Sequence, residues 1–187
     1  NINLYARGVG SVMADNICFP AKLVHGHIIR LLESKVDRIF YPIVPKEEKE
    51  IKNSTNSFNC PVVSGYPDVI RSAIDPESKW GIPLDTPVIA FNTDKVLKKA
   101  CHHYFTSLGV SEEVFEQAFR EALDAKTDFV RKLRSMQLEN FNRACQQNEL
   151  VMVVAGRPYH TDPLIHQKIG QLLSDQGIHV FTDDLFR

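Results

Sequence analysis

Residues 149–182, ELVMVVAGRPYHTDPLIHQKIGQLLSDQGIHVFT, carry the pattern on which the fold turns. Residues 149–155 read as a strand, apolar without a break from Leu150 to Ala155, and 156–162 are a turn-rich loop. Residues 163–176 have Leu164, Ile165, Ile169, Leu172 and Leu173 at helical spacing, with Gly177 as the stop signal, and 178–182 read as a second strand. Strand, helix and strand in that order make a βαβ unit, whose strands should be parallel and whose crossover should be right-handed. The expected class is α/β, built of Rossmann-like parallel sheet units flanked by helices.

Working upstream, Ser111 followed by Glu112 and Glu113 caps a helix with acid in its first turn. Its stripe runs through Phe115, Phe119, Ala122, Phe129, Leu133, Met136, Phe141 and Ala144 to about residue 147. Unbroken, such a helix would be about 54 Å long, against a radius of gyration of about 16 Å for a compact chain of this size. It is therefore either broken near 124–128 or a connector between two lobes. Three segments follow: an α/β lobe over 1–110, a helical connector over 111–148, and a βαβ opening of a second lobe over 149–187. Within the first lobe, 36–44 and 87–92 read as strands and 46–56 as a charged loop. Helices are expected after Pro20, from Tyr66-Pro67-Asp68 to near Ile74, and over 94–108, the last capped by Asn92 or Thr93 and stopped by Gly109.

The 187 residues are 43% hydrophobic and 24% charged, which sets aside disordered and fibrous classes. Lys plus Arg (22) nearly balance Asp plus Glu (23), so no strongly basic face for nucleic acid is expected. No apolar run approaches the ~20 residues of a membrane span, and no basic, then apolar, leader opens the chain. A soluble, cytoplasmic protein is expected. The chain opens on Asn1 and closes at Arg187 directly after a strand pattern, as expected of a piece of a longer polypeptide.

The four cysteines fall into two kinds. Cys101 and Cys145 sit inside expected helices, where a small buried hydrophobe is the ordinary role. Cys18 and Cys60 lie in irregular segments just ahead of helices, each with a proline one or two residues on. A helix N-terminus carries about half a positive charge and directs free N–H groups outward. Those donors favour a thiolate and can accept the sulfurs of an anionic metal cluster. Two unrelated buried thiols are the alternative, since no C-x-x-C spacing occurs. A structural disulfide does not suit a reducing compartment. His25 and His27 flank Gly26, and His102 and His103 are adjacent. Neither pair can easily grip one metal from a helix, and ordinary, partly exposed histidines are expected. A zinc site from Cys18, Cys60 and a histidine lacks zinc spacing.

The loop 156–162 lies where open α/β sheets place ligands, at the carboxyl end of a strand. Arg157 can hold an anionic group there, and His160 and Asp162 can exchange protons or hydrogen-bond; Asp162 also suits a helix cap. With one glycine, the loop is neither a P-loop nor a dinucleotide fingerprint, and no ATP motif occurs anywhere in the chain.

At CFPAKLVHGH (18–27), NCP (59–61) and GRPYH (156–160) the sequence resembles the activator-related domain of the 2-hydroxyacyl-CoA dehydratase and benzoyl-CoA reductase superfamily, a CoA-substrate-specific enzyme activase type of protein. Such domains lie in long polypeptides downstream of ATPase domains. The related dehydratase subunits hold a [4Fe–4S] cluster between Rossmann-like lobes and receive one electron at low potential from an ATP-driven activator. The resemblance implies Cys18 and Cys60 as two cluster ligands, the remainder lying outside this chain. It implies an activator ATPase domain of the same polypeptide and an acyl-CoA dehydratase as partners. The reading is then an iron–sulfur electron-transfer domain, inactive as an enzyme by itself. The rival is a non-catalytic docking module between activator ATPase and dehydratase, metal-free or zinc-binding.

Overall fold

The chain enters through a helix that the apolar pattern did not reveal, α1 (Ile2–Gly8), followed by a 3₁₀ turn, Val9–Ser11. In this computed structural model the described residues are 2–49, 53–156, 159, 162 and 165–186. They belong to two compact units, Asn1–Phe115 and Glu116–Arg187.

In the first unit, Cys18 is the extended N-cap of α2 (Phe19–Glu33), with Pro20 in the first turn where no N–H is needed. The buried face of α2 is Ala21, His25, Ile28 and Leu32, spaced four, three and four residues apart. Leu31, one position before Leu32, is turned off that face and is 39% exposed. Two glycines set the approach of α1. A Cβ on Gly8 would stand 2.2 Å from the Gly26 nitrogen, and one on Gly26 would stand 1.9 Å from the Leu4 carbonyl oxygen. The helices cross backbone on backbone, and only glycine permits it.

The strands expected at 36–44 and 87–92 are corrected. Regular pairing is confined to β1 (Ile39–Phe40) and β2 (Leu84–Asp85), parallel, with Ile39 beside Leu84 and Phe40 beside Asp85. Prolines 42, 45, 83 and 87 remove ladder donors on both sides of the pairing. The two segments still run together, through Ile39 N–H to Pro83 O (2.9 Å), Tyr41 N–H to Asp85 O (2.8 Å), Ile43 N–H to Pro87 O (2.9 Å) and Phe91 N–H to Lys46 O (2.9 Å).

α3 (Pro61–Ile74) starts five residues before the expected Tyr66, because Pro61 directly follows its N-cap, Cys60. Pro67 lies inside it and is fully buried. One helical hydrogen bond is lost there, and apolar burial offsets the cost. Ile70 and Leu32, fully buried, centre a core shared with Ile28, Ile39, Tyr66, Ile74 and Leu84. A short α4 (Pro76–Trp80) leads into β2. α5 (Asp94–Ser107) is capped as expected: Thr93 Oγ1 accepts from Val96 N–H at 3.3 Å, and Gly109 closes the turn after it at φ +86°. α5 docks through the Tyr104 hydroxyl, which donates to Asp85 (2.6 Å), the carboxylate that Arg38 also clamps.

α6 (Glu112–Gln146) runs unbroken, so the break expected near 124–128 does not occur. Its first turn belongs to the first unit, where His102 pairs with Glu112 and stacks edge-on against Phe115. In the second unit, β3 (Val151–Val154) and β4 (His179–Thr182) pair in parallel over four register positions, as the βαβ reading requires. Phe181 of β4 meets Phe141 of α6 at 5.6 Å. The helix expected over 163–176 forms as α7 (Ile169–Asp175). Gln167 and Lys168 ahead of it take left-handed backbone, which no α-helix can include, and Gly177 (φ +76°) stops it as expected. The architecture is α/β, with two small parallel strand pairs and helices among the described residues.

Candidate functional site

Cys18 and Cys60 each form the last extended residue before a helix of fourteen or fifteen residues, with φ/ψ of −60°/147° and −66°/153°. Neither sulfur caps its own helix, so neither is committed to a backbone donor there. Cys18 is exposed and Cys60 half-buried, and both are free thiols.

Three local devices place them. Asn59 donates its backbone N–H to Pro45 O (3.0 Å) and its side-chain amide to Val44 O (3.0 Å) and Glu47 Oε1 (3.2 Å). Residues 57–59 thereby lie antiparallel to 45–47, with Lys46 Nζ 4.4 Å from the centre of the Phe58 ring. This fixes Cys60 just past the carboxyl end of the β1 segment. Lys22 Nζ donates to Asp15 O (2.6 Å) and draws in the loop that presents Cys18. α2 returns to β1 through residues 34–38 alone, and its last core residue, Leu32, shares a core with Ile39. α2 leads into β1 and α3, by way of α4, into β2, so chain order turns the N-termini of both helices toward the carboxyl edge of the parallel pair. Open α/β sheets bind ligands at this edge.

Beneath the caps is a polar chain that the sequence reading missed. His25, expected to be partly exposed, is fully buried. Its Nδ1 lies 2.8 Å from Ser11 Oγ and its Nε2 3.0 Å from the Tyr66 hydroxyl. Ser11 gives its one hydroxyl proton to Gly8 O at 2.8 Å. Its oxygen therefore accepts from Nδ1–H, and Nε2 accepts from the Tyr66 O–H. Burial lowers the His25 pKa and keeps the ring neutral. Burial, and next the charge of Cys18, raise the pKa of Tyr66; burial and the nearby Tyr66 push Tyr41 up to about 12. Both phenols are thus neutral, and Tyr66 lies within electrostatic reach of Cys18. The signal for His25 was present in the spacing 21, 25, 28, 32, which places it in an apolar stripe. Ser11 and Tyr66 carry no comparable mark, since a contact 41 residues away in the chain leaves no local pattern.

Cys101 is half-buried, and burial raises its thiol pKa. Cys145, expected to be buried, is exposed, because only Ala144 beside it faces the interior. His27 is exposed. Arg157 and His160 lie outside the described residues. Among the described residues, no group of three or more His, Cys, Asp or Glu is placed to hold a metal ion, and no helix is long and apolar enough to cross a membrane.

No curated protein and no solved structure matches this chain. Residues 1–186 match the family described as CoA enzyme activase uncharacterised domain. That match spans both cysteine-capped helices and the βαβ unit, in agreement with the resemblance carried by 18–27, 59–61 and 156–160. The chain belongs to this family of CoA enzyme activase domains.

Proposed function

We propose that the chain is an iron–sulfur electron-transfer domain of an acyl-CoA dehydratase and activase system, with Cys18 and Cys60 as two ligands of a [4Fe–4S] cluster. What supports this is that both cysteines N-cap helices joined by the His25–Tyr66 hydrogen bond, with neither sulfur engaged with its own helix. Thiolate donors beside helix N-termini suit an anionic cluster. A cubane takes about four such ligands, so the other ligands come from a partner chain or another stretch of the same polypeptide. When bound, the cluster accepts and passes on a single electron. The residues of this chain hold two of its corners, keep the Tyr41 and Tyr66 protons in place, and exclude water from below with the Ile28–Ile70 core.

On this reading the electron comes from an ATP-driven activator domain and goes to an acyl-CoA dehydratase. The two parallel pairs open two Rossmann-like lobes, and Arg157 and His160, which follow β3 in the chain, serve an anionic ligand. Anaerobic loading of the full polypeptide with ferrous iron and sulfide tests the proposal. Wild-type protein should gain iron, sulfide and broad visible absorption, and Cys18→Ala and Cys60→Ala should each lose most of it. Unchanged iron content in both variants would sink the reading.

A second reading is a metal-free or zinc-binding docking module between activator and dehydratase. It is favoured by the apolar side chains that α6 exposes, Phe129, Val130 and Met136. Partner binding that survives both cysteine substitutions, with zinc content measured alongside, would select it.

A further inference from the structure

We infer that His25 is a positioning residue: bonded to Ser11 on one side and to Tyr66 on the other, it sets how α2 lies along α3 and so holds the two cysteine caps side by side. This rests on the reading of Cys18 and Cys60 as a ligand pair, and it adds the device that makes them one.

The argument is one of levers. α2 and α3 are stiff rods with cysteines at their heads. His25 is seven residues below Cys18 and Tyr66 is six below Cys60, about 10 Å and about 9 Å along the respective axes. The His25–Tyr66 hydrogen bond is therefore a rung joining the two helices at nearly equal depth beneath their caps. The core that the two helices share around this bond is apolar and non-directional, with Ala21, Ile28, Ile70 and Ile74 among its members. Apolar packing tolerates small slides and rotations, whereas a buried hydrogen bond is directional.

The rung is also held from behind. Nδ1–H is used by Ser11, whose own proton is used by Gly8 O, so the ring has one tautomer and one orientation. Gly8 and Gly26 let α1 and its following turn come close enough to deliver Ser11. His25 and Tyr66 meet edge to face at 5.6 Å, so the aromatic contact and the hydrogen bond favour the same geometry. A neutral, fully buried histidine with both nitrogens satisfied is not placed to bind a metal or to exchange protons with a ligand. Orientation is what remains for it to supply.

A short bifunctional thiol reagent reads the spacing of the caps directly. Dibromobimane becomes fluorescent when both of its ends are alkylated, and peptide mapping assigns the bridge. Wild-type protein is expected to yield a Cys18–Cys60 bridge. Tyr66→Phe and His25→Leu should lower that yield about tenfold, relative to single alkylation of the same cysteines by monobromobimane. His25→Gln, whose amide can donate to Ser11 and accept from Tyr66, should recover most of it. A purely stabilising role for His25 would move the unfolding midpoint and leave the bridge yield of folded protein unchanged. Should His25→Leu not fold, Ser11→Ala removes the support behind the ring at a less buried position, with a loss of about threefold expected. Wild-type yield in folded Tyr66→Phe and Ser11→Ala overturns the positioning role. Absence of the bridge in wild-type protein overturns instead the pairing of the cysteines on which that role rests.

Discussion

The two parallel strand pairs differ in a way that reverses expectation. β3 and β4 pair over four positions, β1 and β2 over two. Yet the shorter ladder lies over the deeper core: Ile39 and Leu84 are buried, as are Leu32 and Ile70 on the helices that cover them. On the longer ladder Met152 and Val153 are each 40% exposed, and Leu172 of α7 is 61% exposed. Ladder hydrogen bonds largely exchange for bonds to water, so they contribute little net stability. Apolar area removed from water contributes most of it. The first unit is held by the stripe of α2 meeting that of α3, and its strands are short because prolines interrupt them. In the second unit the backbone is well paired while its side chains are thinly covered.

The largest break in this comparison should come from Ile70→Ala. The side chain is fully buried at the centre of the first unit, and truncation leaves a cavity bounded by two stiff helices. A loss of about 4 kcal/mol is expected. Trp80, the chain's single tryptophan, lies in the first unit and reports its unfolding by fluorescence. A shift in the denaturant midpoint worth less than about 1 kcal/mol would mean that the ladder, and not the α2–α3 contact, holds this unit.

How far the sequence reveals each unit follows from the same contrast. The βαβ order of the second unit is plain in residues 149–182, because strand, turn and helix signals follow one another locally. The helix there is shorter than its apolar spacing suggests, since left-handed backbone at Gln167 and Lys168 delays its start. In the first unit, cysteine and proline together mark the start of α2 correctly at Cys18. At Cys60 the second proline, Pro67, misdirects the reading to a later start. The strands shift because apolar runs broken by proline do not show which residues can pair. The candidate site divides in the same way. The two caps are legible as residues before helices, while the Ser11–His25–Tyr66 chain depends on contacts across 14 and 41 residues. Glycines 8 and 26, which permit it, give no local clue to the backbone each one meets.

Acid should sharpen the comparison by an intermediate amount. Burial holds the His25 pKa below its ordinary 6.5 in the folded unit. Below that pH the unfolded chain binds a proton that the folded one refuses, so stability is full above about 6.5 and declines as pH falls from there. Asp85 acts lower down. Burial raises its pKa, but hydrogen bonds from Tyr104 and Arg38 and the charges of Arg38 and Arg71 outweigh this and leave it below 3.8. Its contribution is present above that value and is lost as pH falls through the folded pKa. Trp80 midpoints should therefore fall in two separate steps on acidification. His25→Gln should remove the first step and leave the second. A midpoint that is flat between about pH 7 and about pH 5 in wild-type protein would show that the His25 ring is not held neutral by its surroundings.

The smallest effect should be at Leu172. It belongs to the apolar face that marks α7 in the sequence, and a reading from periodicity alone would rank it with Ile70. In the structure more than half of its side chain already meets water, so truncation removes little buried area and leaves no enclosed cavity. Leu172→Ala should change stability by no more than about 0.5 kcal/mol, and alanine's higher helix propensity offsets part of even that. Amide exchange in β3 and β4 is the suitable probe, because the second unit has no tryptophan. Exchange rates within about twofold of wild type are expected, a change that corresponds to about 0.4 kcal/mol. A slowing or acceleration of tenfold or more would mean that Leu172 is covered in solution, and the contrast between a deep first core and a shallow second one would no longer hold.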